Sequence, residues 1–425
     1  MKIFGDDGFR DKVGQGLLNE KFLNNFFFSL NLFLEQKKID NLIIGFDTRS
    51  SKNKIIRIIT KNLFILKNIY LLNKPISTPG IQLISKKKKL FGIMITASHF
   101  ANNFNGFKFF NCGNKLTKKD EKLIEKNLLS KKIINYKKKD TKIKKLNSNI
   151  YYKFINKNFK FKNKKKVIID CANGSVSAYT NKIKFLHYVS LINTKTRGNL
   201  INVKSGSNFL DINYNLNPFK NYDYCLAFDG DADRVVIAKK GYGIIEPEKI
   251  ALIFASYLDK KNKFKKIIAT EIANPWLKSE LQKIKKKILF SKVGDRNVIQ
   301  KKKKYNALFG FENSGHFCFN YTMDGLFTAG LFLKILNSDS TIIDNILIKQ
   351  ITYYKKIYAL SEKYQTKVND YIRLQNKKYF KVIIRKSIWN NYFKIYIFYN
   401  KISIKQYLKI YDFLKNKVLK IKVKN

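Results

Sequence analysis

The chain has 425 residues, 45% of them hydrophobic and 14% aromatic. That excludes a disordered protein and exceeds what one apolar core usually supports, so two to four domains are expected. The formal net charge of +55 would suit nucleic acid or an anionic membrane surface. However, the lysines fall in short runs along the whole length (Lys86–Lys89, Lys137–Lys139, Lys164–Lys166, Lys285–Lys287, Lys301–Lys304) with no aromatic–basic recognition module among them. They read as solvated helix ends and loops that draw in small anions, and neither a specific nucleic acid nor a membrane is expected as partner. Cys112, Cys171, Cys225 and Cys318 form no CxxC pair and no metal-ligand spacing, which points to free thiols in a reducing compartment. MKIFGDDGFR carries no apolar signal core, and Phe22 to Leu34 is too short and too polar to span a bilayer, so a cytoplasmic protein is the default.

In chain order, strands and helices alternate as in an α/β layer structure. Asn19 can cap a helix with Phe22, Phe26, Leu30 and Phe33 at helical spacing. Leu42 to Ile44 is a buried strand ending in Gly45-Phe46-Asp47-Thr48-Arg49-Ser50, where Asp47 and Arg49 serve either a site or each other. Ser50 or Ser51 caps a second helix, with Ile55, Ile58, Ile59, Leu63 and Leu66 on one face. A strand near Tyr70 to Leu72 and a Pro75–Pro79 turn region precede GIMITASHFANNFNGFKFF, Gly92 to Phe110. There a short strand, Ile93 to Ile95, feeds a loop presenting a hydroxyl, an imidazole and an ammonium: Ser98, His99 and Lys108. On its own the Ser-His pair also reads as a surface turn. Leu116 to Leu129 is helical, and lysine-rich, low-complexity sequence from Lys131 to Asn149 sets a first domain boundary at 150.

The second segment, 151–246, begins with the strand Val167 to Asp170 and a turn, Cys171-Ala172-Asn173-Gly174, leading to a helix. The strand Tyr224 to Phe228 then runs into Asp229-Gly230-Asp231-Ala232-Asp233-Arg234. Three carboxylates alternating with small residues can turn several oxygens on one point, as a hard cation such as Mg²⁺ requires. Like charges crowded at a strand end are costly unless something neutralises them. The third segment, 247–351, opens a helix at Pro247-Glu248, continues with a strand at Ile267 to Thr270 and the start of a helix at Asn274, and carries the loops Val293-Gly294-Asp295-Arg296 and Glu312-Asn313-Ser314-Gly315-His316. The second of these suits the hydroxyls and amine of a sugar, or is a self-satisfied turn. Asp324 caps a helix through Leu336. The last segment, 352–425, is a small α+β unit: strands Tyr379 to Arg385 and Tyr392 to Phe398, then a helix opening at Ser403 with Ile404, Tyr407, Leu408, Tyr411 and Leu414 inward.

Eight pieces in order, FGDDGFR, GFDTRSS, TASH, NGFKFF, DCANG, FDGDADR, KVGDR and ENSGH, resemble the phosphoglucosamine mutases, a branch of the α-D-phosphohexomutases, over nearly the whole chain. The resemblance implies three similar α/β domains with mixed sheets and a smaller C-terminal α+β domain, heart-shaped around a central cleft. It implies that glucosamine 6-phosphate and glucosamine 1-phosphate interconvert through a phosphoserine at Ser98 and a 1,6-bisphosphate, in amino-sugar metabolism that supplies peptidoglycan precursors. One Mg²⁺ would be held by Ser98, Asp229, Asp231 and Asp233. His99, Arg10 and Lys108 would steady phosphate oxygens, Lys108 or Arg10 assisting proton transfer, and Glu312 and Ser314 would hold the sugar. Arg234, Asp295, Arg296, His316, Arg385 and Ser387 would complete the substrate site. A phosphosugar is the implied partner, and a homodimer is left open. The alternatives are the phosphomannomutase and phosphoglucomutase branch, or an impaired homologue that binds anionic ligands.

The chain departs from the family pattern in three places. Phe100-Ala101 replaces Asn-Pro after the Ser-His pair, and Asp6 replaces Thr. Where the family carries RKSGTEP, the chain reads Arg385-Lys386-Ser387-Ile388-Trp389-Asn390-Asn391. The lost glycine removes the close backbone approach that a phosphate-binding loop needs, so a weaker grip on the non-reacting phosphate is expected, partly offset by Lys394.

Overall fold

The computed structural model describes residues 2–5, 7–130, 139–213, 221–260, 264–373, 380–386 and 392–415. Asp6 and the stretch Ser387 to Asn391 lie outside them. The described residues form four sheets with helices packed on them, a mixed α/β architecture.

The first sheet runs in the order Phe9–Lys12, Phe104–Asn111, Phe91–Ile95, Asn41–Phe46, Asn68–Leu72, Lys142–Leu146, with Asn114–Lys115 paired to Phe104–Asn111. Its four central and far strands are parallel, and the first two pair antiparallel. Phe91–Ile95 is buried at every position, as a strand covered on both faces must be. The helix Glu20–Gln36 forms as its spacing dictates: Asn19 Oδ1 accepts the Phe22 N–H at 2.7 Å, and Phe26, Leu30 and Phe33 are buried.

Several local expectations change. The stretch after Lys131 contains the strand Lys142–Leu146, which pairs parallel with Asn68–Leu72; its run of exposed lysines hides an edge strand whose faces are both wet. The Pro75–Pro79 region opens a helix, Thr78–Lys88, because Ser77 Oγ accepts the Gly80 N–H and Pro79 fits a first helical turn. Lys86, Lys87 and Lys88 end that helix, where cations complement its negative pole. Ser51 sits at the start of Lys52–Asn62 without a capping bond and instead accepts from Asn105 Nδ2 at 2.8 Å. After Cys171-Ala172-Asn173-Gly174 the chain makes three short 3₁₀ turns rather than an α-helix.

The second sheet (Gly243–Ile244, Val235–Lys239, Tyr224–Phe228, Val167–Asp170, Ser190–Ile192) and the third (Lys287–Ser291, Lys266–Thr270, Gly310–Phe311, Phe317–Cys318) share one apolar core that runs from Tyr151 to Leu347 and takes in Leu83 of the helix Thr78–Lys88. Asp295 and Arg296 occupy the first turn of a helix, Asp295–Lys304, rather than a loop. The helix expected from Asn274 starts at Trp276. Asp324 caps Gly325–Ser338 by accepting the Phe327 N–H at 2.9 Å.

The fourth sheet has the order Tyr354–Ser361, Tyr392–Tyr399, Phe380–Lys386, all antiparallel. Its first strand and the helix Gln365–Arg373 are unexpected additions. In the closing helix, Ile404–Phe413, the inward residues are Tyr407, Ile410 and Leu414; Ile404 and Leu408 are about half exposed, so the apolar stripe is rotated by one position from that expected. Among the described residues no single helix is long and apolar enough to cross a membrane, and all four cysteines are unpaired.

Candidate active site

Residues of all four sheets and their loops converge on a cavity of about 420 Å³. Ser98 leaves the strand Phe91–Ile95 with φ +52°, a left-handed conformation that costs a non-glycine residue about 1–2 kcal/mol. The surrounding bonds over-determine it. Ser98 N–H donates to Thr96 Oγ1 at 2.9 Å, and Thr96 donates to Asp47 Oδ2 at 2.7 Å. The Ser98 carbonyl accepts from Arg49 Nη2 and from Asn202 Nδ2 at 3.0 and 2.8 Å.

Arg49 is fully buried and aims its whole guanidinium at this loop. Nε meets Asp47 Oδ2 at 3.1 Å, and the two terminal nitrogens donate to the carbonyls of Ser98, Phe100, Ala101 and Phe104. Asp47 and Arg49 therefore do pair with each other, and together they hold the serine loop. A planar five-donor fork can span four carbonyls in this way, where an ammonium could not.

Ser98 Oγ donates to Asp229 Oδ2 at 2.6 Å, joining the first sheet to the second. Asp229, Asp231 and Asp233 are buried and offer ligand oxygens within 4.8 Å of one another. A Cβ at Gly230 would come within 2.7 Å of the Ser98 carbonyl, so only glycine allows the two loops this close. Thr78 fixes Asp231 twice, its N–H on the Asp231 carbonyl at 2.9 Å and its hydroxyl on Oδ2. Asp229 Oδ1 and Asp231 Oδ1 are buried without a hydrogen-bond partner among the described residues. Orphaned carboxylate oxygens aimed at one point fit a hard cation, and the donor set suits Mg²⁺.

Lys108 lies inside this set, 2.8, 2.7 and 2.9 Å from carboxylate oxygens of Asp231, Asp233 and Asp7. Burial works against its charge, but the three carboxylates prevail and hold its pKa well above the ordinary lysine value. Asp233 is likewise held well below the usual carboxylate range: burial opposes its charge, while Lys108 and His316 outweigh it. Burial, with Asp233 and Asp231 beside it, pushes Asp229 up.

His99 is neutral. Burial and then the Arg234 and Arg10 cations depress its pKa to about 2, and Nδ1 accepts from Arg234 Nη2 at 2.7 Å. Arg234 also reaches Ser98 Oγ at 3.3 Å and lies 3.2 Å from Asp229, so it belongs to the serine end of the cavity. Arg10 stacks on the Phe100 ring, 4.7 Å from its centroid.

On the opposite loop, His316 Nε2–H donates to Asp233 Oδ1 at 3.0 Å, which leaves Nδ1 to accept from Ser314 Oγ at 2.7 Å. Glu312 Oε1 accepts the Gly294 N–H at 2.8 Å and lines the cavity. Asp295 also lines it but pairs with Lys115, which in turn holds Asp7 at 2.6 Å. Arg296 turns away from the cavity lining to pair with Glu121 of the first sheet's helix Lys118–Leu129. Arg385 lines the far wall with Lys355 and Tyr396. Ser387 lies outside the described residues.

Sequence reasoning did not single out Asp7, Thr78, Lys115, Glu121, Asn202 or Lys355. Asp7 stood inside a quoted motif and so was within reach; the others sit in segments with no motif, and only the tertiary arrangement brings them in.

A family model described as phosphoglucomutase/phosphomannomutase, alpha/beta/alpha domain I, matches residues 1–133, and the corresponding domain III model matches residues 246–354. A phosphoglucosamine mutase of Campylobacter curvus is 32% identical over 348 residues, covering 77% of this chain and 78% of the relative. Among solved structures, a phosphoglucomutase/phosphomannomutase family protein from Burkholderia thailandensis superposes with a TM-score of 0.80 at 18% identity, covering 97% of this chain and 98% of that one. An Aspergillus fumigatus N-acetylphosphoglucosamine mutase, in complex with GlcNAc-6P and magnesium, gives a TM-score of 0.64 at 14% identity over 96% of this chain and 94% of that one.

Proposed function

Because the chain belongs to the phosphoglucosamine mutase family of phosphohexomutases, we propose that it interconverts glucosamine 6-phosphate and glucosamine 1-phosphate through a phosphorylated Ser98. The observation that carries this reading is the Ser98 hydroxyl, 2.6 Å from Asp229, at the floor of a cavity rimmed by Arg10, Lys108 and Arg234.

In the proposed cycle the sugar's C1 hydroxyl oxygen attacks the phosphorus carried on Ser98. The new O–P bond forms as the P–Oγ bond breaks, and the hydroxyl proton ends on the departing Ser98 Oγ, which gives it to O6 in the second transfer. The resulting 1,6-bisphosphate turns end for end, and Ser98 Oγ takes back the phosphoryl group from O6. Asp229, Asp231 and Asp233, with the phosphorylated Ser98, would hold Mg²⁺, which supplies neutralisation of phosphoryl charge. Lys108 keeps its proton and so steadies the transferring phosphoryl oxygens as a cation rather than exchanging a proton. His99, neutral, orients Arg234 towards Ser98. Glu312, Ser314 and His316 would meet the sugar, and His316 ties that loop to Asp233.

Intact-mass analysis that finds one phosphate on Ser98, and a kcat/KM ratio favouring glucosamine 6-phosphate over glucose 6-phosphate, would support the reading. An unphosphorylated serine that a hexose 1,6-bisphosphate with Mg²⁺ cannot charge overturns it. A ratio favouring glucose moves the chain to the phosphoglucomutase branch.

A further inference from the structure

The fourth sheet turns one face to the cavity. Its registers set Lys355 opposite Phe398, Ile357 opposite Tyr396, Ile383 opposite Tyr396, and Arg385 opposite Lys394. Alternation along each strand then places Lys355, Ile357, Tyr396, Lys394 and Arg385 on the same face. Of these, Lys355, Ile357, Tyr396 and Arg385 line the cavity wall facing Ser98. That wall is apolar and cationic, without a carboxylate of its own.

Lys355 lays its stem over the Tyr396 and Phe398 rings, with the ammonium 5.8 and 6.0 Å from their centroids. Among the described residues no carboxylate lies within ion-pairing distance of it. The nearest negative influence, Glu248, has its Oε1 already taken by Asn274 N–H and Asn313 Nδ2. Burial lowers the pKa of Lys355, the mark of a charge without a counter-ion. A half-buried cation of this kind is relieved by an anion that brings its own charge. The cavity, at about 420 Å³, has the size of a small-ligand site and has its transfer chemistry at the opposite end.

We propose that Lys355, on the cavity face of the fourth sheet that also carries Arg385, binds the non-reacting phosphate of the sugar phosphate. The inference rests on the mutase reading. It places on a strand a grip that the sequence of 387–391, without glycine, is poorly suited to supply through backbone amides. Lys355 presents a side-chain charge instead, and a strand residue keeps its position without depending on that loop.

The test uses the full chain carrying Ser98→Ala, so that binding is read without turnover. Isothermal titration with glucosamine 6-phosphate, and with unphosphorylated glucosamine as the comparison sugar, is run on this parent and on three further variants. Lys355→Met is expected to weaken glucosamine 6-phosphate binding about tenfold or more while leaving glucosamine unchanged. Lys355→Arg is expected to restore binding to within about threefold, and Lys356→Met, on the other face, to match the parent. Lys355→Gln, which keeps the stem, replaces the Met variant if the latter melts early. Equal affinity in the parent and in Lys355→Met overturns this inference and leaves the mutase reading standing. A parent that binds no hexose phosphate overturns both.

Discussion

Lys108 Nζ lies 2.7 Å from Asp233 Oδ2, within the carboxylate set that fits a divalent cation. The two positive charges therefore compete for the same oxygens. Lys108→Met is expected to raise Mg²⁺ affinity about tenfold, as removal of one close unit charge allows, while lowering turnover by about 10²-fold. Calorimetric Mg²⁺ titration beside a coupled mutase assay reads both. Loss of affinity together with loss of turnover would mean that Lys108 mainly shapes the loop. In the wild-type chain Mg²⁺ is expected to raise the melting temperature and a chelator to reverse it, an effect absent from Asp231→Asn.

Arg49 should tolerate no replacement. Arg49→Lys keeps the charge but cannot span the carbonyls of Ser98, Phe100, Ala101 and Phe104, and it leaves Asn202 to hold those of Ser98 and Phe100 without the guanidinium. A loss of about 3–5 kcal/mol in urea unfolding is expected, together with failure to charge Ser98. A stable variant that still takes up phosphate at Ser98 would remove the loop from Arg49's control.

Asp324 titrates in the neutral range. Burial raises its pKa to about 7, against the bonds it accepts from Phe327 and Tyr151. The folded protein thus keeps a proton that the unfolded chain releases near pH 4. Stability is full below that point, falls as pH rises towards 7, and levels off above. The ceiling on the loss is about 4 kcal/mol. Asp324→Asn retains an acceptor for both bonds, so it should be more stable than wild type at pH 8 and equal to it at pH 4. Parallel unfolding curves at the two pH values would show otherwise.

Phe100, which stands where the family has Asn, gives Arg10 an aromatic face. Phe100→Leu should lower kcat/KM about three- to thirtyfold, the range of a partly desolvated cation–π contact, and Phe100→Trp should retain most of it. An unchanged Leu variant would reduce Phe100 to a spacer.

Much of the site was legible because its chemistry is written in short loops at strand ends. Asp229, Asp231 and Asp233 converge as their spacing demands, and Ser98 meets Asp229 directly. Asn19 and Asp324 cap their helices because an N-cap is a local decision. What stayed hidden depends on distance in sequence. Lys355 lies in a lysine pair like many others, and only the register with Phe398 shows which of the pair faces the cavity. Arg296 carries a substrate-site motif, yet its guanidinium reaches Glu121, a contact that no periodicity encodes. Lys142–Leu146 escaped because an edge strand with both faces wet has no apolar alternation to reveal it. The C-terminal helix was read one step out of phase because its exposed Ile404 and Leu408 mimic a core stripe.

The uninterrupted core beneath the second and third sheets has a mechanical consequence. The loop of Asp229 to Arg234 and the loop of Glu312 to His316 ride on one body, stapled by the His316–Asp233 bond, and behave as a fixed jaw. The spacing between cation and sugar positions is then a constant of the molecule. The serine side is tied to that jaw through Ser98–Asp229, Thr78–Asp231 and Lys108–Asp233, so the wall left to yield when a bulky bisphosphate rotates is the small terminal sheet that carries Lys355.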